Sequence, residues 1–252
     1  MRAAAFIIHL ARARGRAPQV ERLREALPMP VTVINAIDAE TLSDAEIART
    51  YRSRLHRPYY PFSLRRTEVA CFLSHRRAWQ MVIEHGLEAG LVIEDDVELL
   101  PQFGNALDLG LERAATADFL RFPKQPREHG EALAQAGESR LFVPRMVGLG
   151  MQAQLVGREA ARRLLAFTDE FDRPVDTAIQ MRWLHGVRVL SSTPVSVREV
   201  AATLGGTTVQ RKGKSLSETL GREFHRARYR FAVRATDVLK SRQKPGESIP
   251  HG

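Results

Sequence analysis

The sequence predicts an α/β layered fold, because short apolar runs typical of strands alternate with amphipathic stretches typical of helices through most of the chain. Its 252 residues suffice for one large domain, and 44% apolar and 27% charged residues are the proportions of an ordinary globular protein. No apolar run in the sequence is long enough to span a bilayer. We therefore predict one main domain over residues 1–210 and a tail over residues 211–252.

The predicted strands are the short apolar runs bounded by polar residues. They cover residues 4–10, 31–36, 91–93, 119–122, 141–143, 152–156, 187–190 and 195–197. The N-terminal run superficially resembles a signal peptide. It is short, lacks a small-residue cleavage site and continues into arginines, so we interpret it as the first strand.

The predicted helices are the amphipathic stretches between these runs. They cover residues 15–27, 44–55, 67–85, 158–167 and 177–184, and a further helix begins at Pro101. Ser43 and Glu46 form a capping box before the second helix, and Gly86 stops the third. Residues 123–139, which contain Gly and Glu, are predicted to be a mobile loop.

The excess positive charge of the chain is concentrated in the tail. Of the formal net charge of +9, residues 211–244 carry +8, from eleven basic and three acidic residues, and the remainder carries +1. A nearly neutral body argues against a nucleic-acid groove, so no nucleic-acid partner is predicted.

At helical spacing the tail places apolar residues on one side and arginines on another. Such a helix either lies on an anionic membrane surface or docks on the body with its arginines in water, and both interpretations stay open.

The most informative segment is the apolar run 90–93 followed by Glu94, Asp95 and Asp96. Three adjacent carboxylates at the end of a buried strand repel one another unless a cation or a positively charged ligand compensates them. In an extended strand Glu94 and Asp96 share one face, whereas a turn at Asp95 lets all three converge. We predict a Mg²⁺ or Mn²⁺ site near substrate phosphates, with a solvated turn of exposed carboxylates as the alternative.

The chain has a single cysteine, Cys71, which excludes an intrachain disulfide and a cysteine zinc cluster and fits a reducing cytoplasm. We expect Cys71 to be a buried packing residue of its helix, and Trp79 to fill core. Tyr59 and Tyr60, in a loop, are candidates for an acceptor platform. The Gly-rich segment 205–210 is too short and isolated to be identified as a phosphate loop.

Two ordered segments resemble glycosyltransferase family 25, the lipopolysaccharide and collagen galactosyltransferase-like group. They read Glu68-Val69-Ala70-Cys71-Phe72-Leu73-Ser74-His75 and, about twenty residues later, Val92-Ile93-Glu94-Asp95-Asp96. Ala70 stands where the family has glycine, and His9 where its first strand has asparagine. Arg16 and the segment Arg173-Pro174-Val175-Asp176 extend the resemblance to roughly residues 4–210.

The resemblance implies a GT-A-like, Rossmann-type single domain with a mixed central sheet. It implies transfer of a sugar, galactose favoured, from a nucleotide sugar such as UDP-galactose to a hydroxyl of a glycan or glycolipid acceptor, in lipopolysaccharide or cell-surface glycan biosynthesis. A cytoplasmic location is expected, extending through the tail to the inner face of the cytoplasmic membrane.

The resemblance also implies residue roles. Asp96 and Glu94 hold a divalent metal, Mn²⁺ or Mg²⁺, against the donor diphosphate, and Asp176 is the general base of an inverting transfer. The residues that contact the donor are Arg16, Ser74, His75, Glu94 and Asp95.

Other interpretations of these residues stay open. Asp176 is equally suited to cap the helix 177–184, Ser74 and His75 to anchor their helix to the sheet, and Arg16 to begin a solvated helix. Two other function classes also stay open: a metal-dependent nuclease or phosphoryl-transfer enzyme, and a non-catalytic membrane-surface binding module.

Overall fold

The structure, a computed structural model, describes residues 1–204 and 216–242, with the side chains of the last helix over residues 222–240. Strands in this part are β1 (Ala3–His9), β2 (Val31–Asn35), β3 (Ala89–Glu94), β4 (Val97–Leu99), β5 (Asp118–Arg121), β6 (Gly130–Ala136), β7 (Ser139–Pro144), β8 (Ala153–Gly157), β9 (Arg188–Thr193) and β10 (Val197–Glu199). Its α-helices are α1 (Ala17–Ala26), α2 (Asp44–Thr50), α3 (Arg66–Glu84), α4 (Phe103–Arg113), α5 (Arg158–Phe167), α6 (Val175–Ile179), α7 (Arg182–His185) and α8 (Leu216–Arg242).

The strands form an eight-stranded mixed sheet of order β2-β1-β3-β8-β5-β9-β7-β6, and β4 pairs with β10 in a separate two-stranded sheet. Strand β1 is parallel to both β2 and β3, whereas β8 is antiparallel to both β3 and β5. The predicted α/β fold with a mixed central sheet is therefore confirmed.

Helices cover both faces of the sheet because the side chains of the central strands alternate between two apolar cores. On β1, Phe6 points into the core formed with α3 and α5, and Ile7 points into the core formed with α1 and α4. Trp79 of α3 is fully buried in the first core, as predicted. Two filled cores hold the carboxyl end of β3 rigidly in the middle of the sheet.

Most predicted elements are found, including α5 with the predicted bounds and the capping box of Ser43 and Glu46. Helix α2 ends at Thr50 rather than at residue 55, because Tyr51 is extended and bridges to Phe171. The predicted mobile loop 123–139 is wrong. It contains β6, which pairs with β7 and is mostly exposed, so it lacks the apolar alternation that identifies a strand.

Two predictions at the end of the body also need correction. The predicted helix 177–184 is two short helices, α6 and α7, because the backbone of the fully buried Met181 leaves the helical conformation. The predicted strand 195–197 does not complete the main sheet, since β10 pairs with β4 instead. The predicted domain boundary after residue 210 and the segment 205–210 lie outside the described residues.

Helix α8 packs against the body through one face. Tyr229, Val233 and Asp237, spaced four residues apart, are 7%, 3% and 7% exposed. Asp237 pairs with Arg182, and the Tyr229 hydroxyl accepts a 2.6 Å hydrogen bond from Arg173. Of the two interpretations of the tail, docking on the body is thus the one seen. None of the described helices combines the length and apolar character needed to cross a bilayer.

Candidate active site

The acidic segment forms a tight turn at the end of β3. The strand ends at Glu94, and Asp95 and Asp96 make the turn into β4. The backbone N–H of Asp95 donates to the carbonyl of Ile8 at 3.1 Å, and the N–H of Val200 donates to the carbonyl of Asp96 at 2.8 Å. The turn is therefore held between β1 and the segment that follows β10.

Asp95 is 4% exposed, and both of its carboxylate oxygens are engaged by protein groups. Oδ1 accepts a 2.6 Å hydrogen bond from Nη1 of Arg16, and Oδ2 lies 2.7 Å from Nδ1 of His9. His9, which departs from the family's asparagine, thus supplies a contact to the acidic turn. Arg16 and His9 engage both oxygens of the buried Asp95, so the carboxylates that remain partly accessible are Glu94 and Asp96.

Asp96 is the carboxylate of the turn that has a buried oxygen without a hydrogen-bond partner among the described residues. Arg16 Nη1 lies 3.3 Å from its Oδ2, but its Oδ1 is buried without a hydrogen-bond partner among the described residues. Burial, and next the neighbouring charge of Glu94, raise the pKa of Asp96 to about 7. A divalent cation would satisfy this oxygen and compensate the charge, and the oxygen-only donor set suits Mg²⁺ or Mn²⁺.

Glu94 faces helix α3 rather than α1. Its Oε1 lies 3.1 Å from Nε2 of His75, and Nδ1 of His75 lies 3.1 Å from Nε2 of Gln154 on β8. His75 is 1% exposed, so this contact orients the Glu94 carboxylate from the buried side of the site. Ser74 is 2% exposed: its hydroxyl donates to the carbonyl of Ala70 at 2.8 Å and accepts from the N–H of Ile37 at 2.9 Å, so it anchors α3.

Asp176 lies in the first turn of α6, whose N-cap is Pro174, so the carboxylate does not cap that helix. Its Oδ2 accepts a 3.0 Å hydrogen bond from the backbone N–H of Gly150, and its Oδ1 accepts from the Thr177 hydroxyl at 3.2 Å. Gly150 has a φ of +101°, which favours glycine and turns its N–H toward Asp176. The loop before β8 therefore positions this carboxylate.

Cys71 was expected to be buried, and the structure corrects this: the side chain is exposed. Cys71 lies one helical turn before His75, outside the set of α3 residues that fill the apolar core. Local desolvation, followed by the charges of Glu94, Asp176 and Asp96, raises the pKa of the thiol. All three carboxylates therefore lie in one electrostatic environment around Cys71.

A buried hydrogen-bond network without a recognisable sequence pattern holds the segment before Asp176. The guanidinium of Arg173, 1% exposed, donates to both carboxylate oxygens of Asp172, to the carbonyl of His56 at 2.6 Å and to the Tyr229 hydroxyl. Gln154 was also missed, although a glutamine within the apolar strand β8 is an available signal.

A family model described as glycosyltransferase family 25 (LPS biosynthesis protein) matches residues 3–179. The chain is 34% identical over 105 residues to human procollagen galactosyltransferase 2, covering 40% of this chain and 17% of that protein. It is 31% identical over 110 residues to a mouse protein named inactive glycosyltransferase 25 family member 3, covering 42% and 19% respectively.

The chain thus spans less than a fifth of the length of these two relatives. Among solved structures, a glycosyltransferase involved in the glycosylation of the major capsid of PBCV-1 aligns with a TM-score of 0.34 and 13% identity, covering 64% of this chain and 63% of that one.

Proposed function

Because this chain belongs to glycosyltransferase family 25, we propose that it transfers a sugar, galactose favoured, from a nucleotide sugar such as UDP-galactose to a hydroxyl of a glycan or glycolipid acceptor. The human relative named as a galactosyltransferase supports the choice of sugar. The mouse relative is named inactive, so resemblance to the family does not by itself establish activity. The proposal of activity therefore depends on the residues of the site.

The observation that carries the proposal is the buried, unpartnered Oδ1 of Asp96 at the end of a central strand. Asp96 and Glu94 are the residues that would hold Mn²⁺ or Mg²⁺. When bound, such a cation neutralises the charge that develops on the leaving nucleotide diphosphate. Asp95 would support the site indirectly rather than bind the cation, because Arg16 and His9 already engage both of its carboxylate oxygens.

Asp176 is the proposed general base of an inverting transfer. A general base has to be held within hydrogen-bond reach of the hydroxyl it deprotonates, and the Gly150 N–H fixes the Asp176 carboxylate in one orientation. Its charge acts on Cys71 together with those of Glu94 and Asp96, which supports a location beside the proposed metal site. The acceptor hydroxyl would give its proton to Asp176 as it attacks the sugar.

The acceptor side is proposed to include the loop 57–62 and helix α8. The Tyr60 and Tyr229 rings meet edge to face with centroids 5.3 Å apart, and Asp176 acts on the pKa of both hydroxyls. On its outer side α8 exposes Phe224 and Phe231 among arginines. These features support an acceptor for lipopolysaccharide or cell-surface glycan synthesis at an anionic membrane, with the chain peripheral to the cytoplasmic face.

The proposal is tested by thermal stabilisation with UDP-galactose, with and without Mn²⁺. The wild-type protein should be stabilised by the two together, by about 2.7 kcal/mol when the donor is at about one hundred times its Kd. Asp96→Asn should lose this response, whereas Asp108→Asn, on the exposed side of α4, should keep it. The proposal fails if no nucleotide sugar stabilises the wild type with Mn²⁺, or if Asp96→Asn responds like the wild type.

A further inference from the structure

A second group of ligand-type atoms adjoins the acidic turn and shares Glu94 with the cation site of the proposed function. Cys71 and His75 lie one turn apart on α3, and Glu94 closes the group from the end of β3. Their sulfur, nitrogen and oxygen ligand atoms all lie within 4.8 Å of one another. We propose that Cys71, His75 and Glu94 bind a borderline-soft divalent metal ion of the Zn²⁺ class, distinct from the hard cation on Asp96.

The distances suit such an ion. With Zn–N and Zn–O bonds of about 2.0–2.1 Å, neighbouring ligand atoms on a tetrahedral ion lie about 3.3 Å apart. His75 Nε2 and Glu94 Oε1 are already 3.1 Å apart. The thiol sulfur lies within 4.8 Å of both atoms, so it would have to approach them by at most about 1.3 Å to reach the roughly 3.5 Å expected for sulfur. Since Cys71 is exposed, a change of its side-chain rotamer can supply that movement.

Gln154 supplies the independent sign of a ligand. Its side chain is fully buried, and its Oε1 has no hydrogen-bond partner among the described residues, while its Nε2 lies 3.1 Å from His75 Nδ1. Turning the amide over would let Oε1 accept a hydrogen bond from Nδ1–H. His75 would then hold its proton on Nδ1 and present the Nε2 lone pair to a metal, as the outer partner of a metal-binding histidine does.

The local charge also favours a cation. Glu94, Asp176, Asp96 and Glu68 all act on the Cys71 thiol with the same negative sign. A metal ion would compensate this field and accept the thiolate, the form of cysteine that binds metals. Three protein ligands leave the fourth position of a tetrahedral ion for water or a ligand. Because Glu94 belongs to both groups, Zn²⁺ here would compete with the hard cation of the proposed function.

The test uses the tag-free, reduced 252-residue chain with Co²⁺ as the spectroscopic probe for this metal class. Because Cys71 is the single cysteine of the sequence, any thiolate-to-cobalt charge-transfer band has to come from it. The wild type should show this band, saturating at one Co²⁺ per chain and displaced by Zn²⁺. Cys71→Ser, an exposed and nearly isosteric change, should abolish it.

Two further variants separate this site from its surroundings. Gln154→Leu should weaken Co²⁺ binding by about 10–100-fold, the usual effect of removing the outer partner of a ligating histidine. Asp96→Asn should keep the band while losing Mn²⁺-dependent donor binding, so failure of one proposal does not imply failure of the other. A wild type without a charge-transfer band, or a Cys71→Ser variant that binds Zn²⁺ with wild-type affinity, would overturn the inference.

Discussion

Asp96 should make the protein less stable as the pH rises through the slightly acidic range. Its ordinary pKa is 3.8, and burial raises the pKa in the folded protein to about 7. Between these values the folded state keeps a proton that the unfolded state has lost, so the free energy of unfolding falls as the pH rises. About three pH units at about 1.4 kcal/mol each give an upper limit of about 4 kcal/mol for the loss in the free energy of unfolding. The neighbouring charges of Glu94 and Arg16 broaden the pH range over which this loss occurs.

Asp96→Asn removes this titration without changing the shape of the side chain. In EDTA, the variant should become more stable than the wild type by about 1.4 kcal/mol for each pH unit between about pH 5 and pH 7, with a constant difference above about pH 8. The measurement is urea unfolding followed by circular dichroism at each pH. Adding Mn²⁺ at about pH 8 should stabilise the wild type and leave the variant unchanged.

Asp38→Asn is the matched control, because the hydrogen bond from Arg12 lowers the pKa of Asp38. A lowered pKa in the folded state contributes stability above the ordinary pKa and loses it as the pH falls. This variant should therefore be less stable than the wild type by a constant amount between about pH 5 and pH 8, and the difference should shrink only below about pH 4. If the difference between Asp96→Asn and the wild type stays constant from about pH 5 to pH 8, the assignment of a raised pKa to Asp96 is wrong.

Three further substitutions, measured by urea unfolding, test the contacts that hold the site and the helix α8 in place. Arg16→Ala should destabilise the protein by about 3–5 kcal/mol, because it leaves buried carboxylates uncompensated, whereas Arg12→Ala, at an exposed ion pair, should destabilise it much less. Tyr229→Phe should cost about 1–3 kcal/mol and increase protease cleavage of α8, because it leaves a buried N–H of Arg173 without its acceptor. Gly157→Ala, at the end of β8, should cost about 1–3 kcal/mol, because the added methyl group would overlap the backbone carbonyl of Thr116.

Each of these changes has an outcome that contradicts its reasoning. Equal losses for Arg16→Ala and Arg12→Ala would mean that Arg16 does not hold the acidic turn. Unchanged proteolysis of Tyr229→Phe would mean that the Arg173 contact does not fix α8 on the body. A Gly157→Ala protein as stable as the wild type would show that the backbone there moves aside easily.

Local patterns in the sequence were enough to predict the elements with strong periodicity and the acidic turn. Helix α5 and strand β1 bury one face or both, so their apolar spacing is visible along the chain. Strand β6 was missed because its residues are exposed on both sides and carry no alternation. The cluster of Glu94 to Asp96 was predictable because adjacent carboxylates after an apolar run are chemically unusual.

The partners of those carboxylates were not predictable, because they depend on strand order and register. Gln154 is 79 residues from His75 in sequence, and it arrives there because β8 inserts beside β3 with Ala153 opposite Ile93. The exposure of Cys71 depends likewise on which face of α3 meets the sheet. The spacing of Cys71 and His75 does place them one helical turn apart on α3, and this spacing could have indicated that they lie close together.

The reversed direction of β8 has a consequence for how this molecule can diversify. A strand that runs against β3 brings its incoming loop to the edge where the acidic turn leaves β3, and that loop carries Gly150, the partner of Asp176. Asp95 in the acidic turn is held separately, by Arg16 and His9. In the loop, Val147 and Met151 are buried in the core, whereas Leu149 is exposed beside Gly150. Substitutions at Leu149 can therefore change the surroundings of Asp176 while the acidic turn keeps its place. Under the proposed function, acceptor preference would thereby vary at a position that bears no cation ligand.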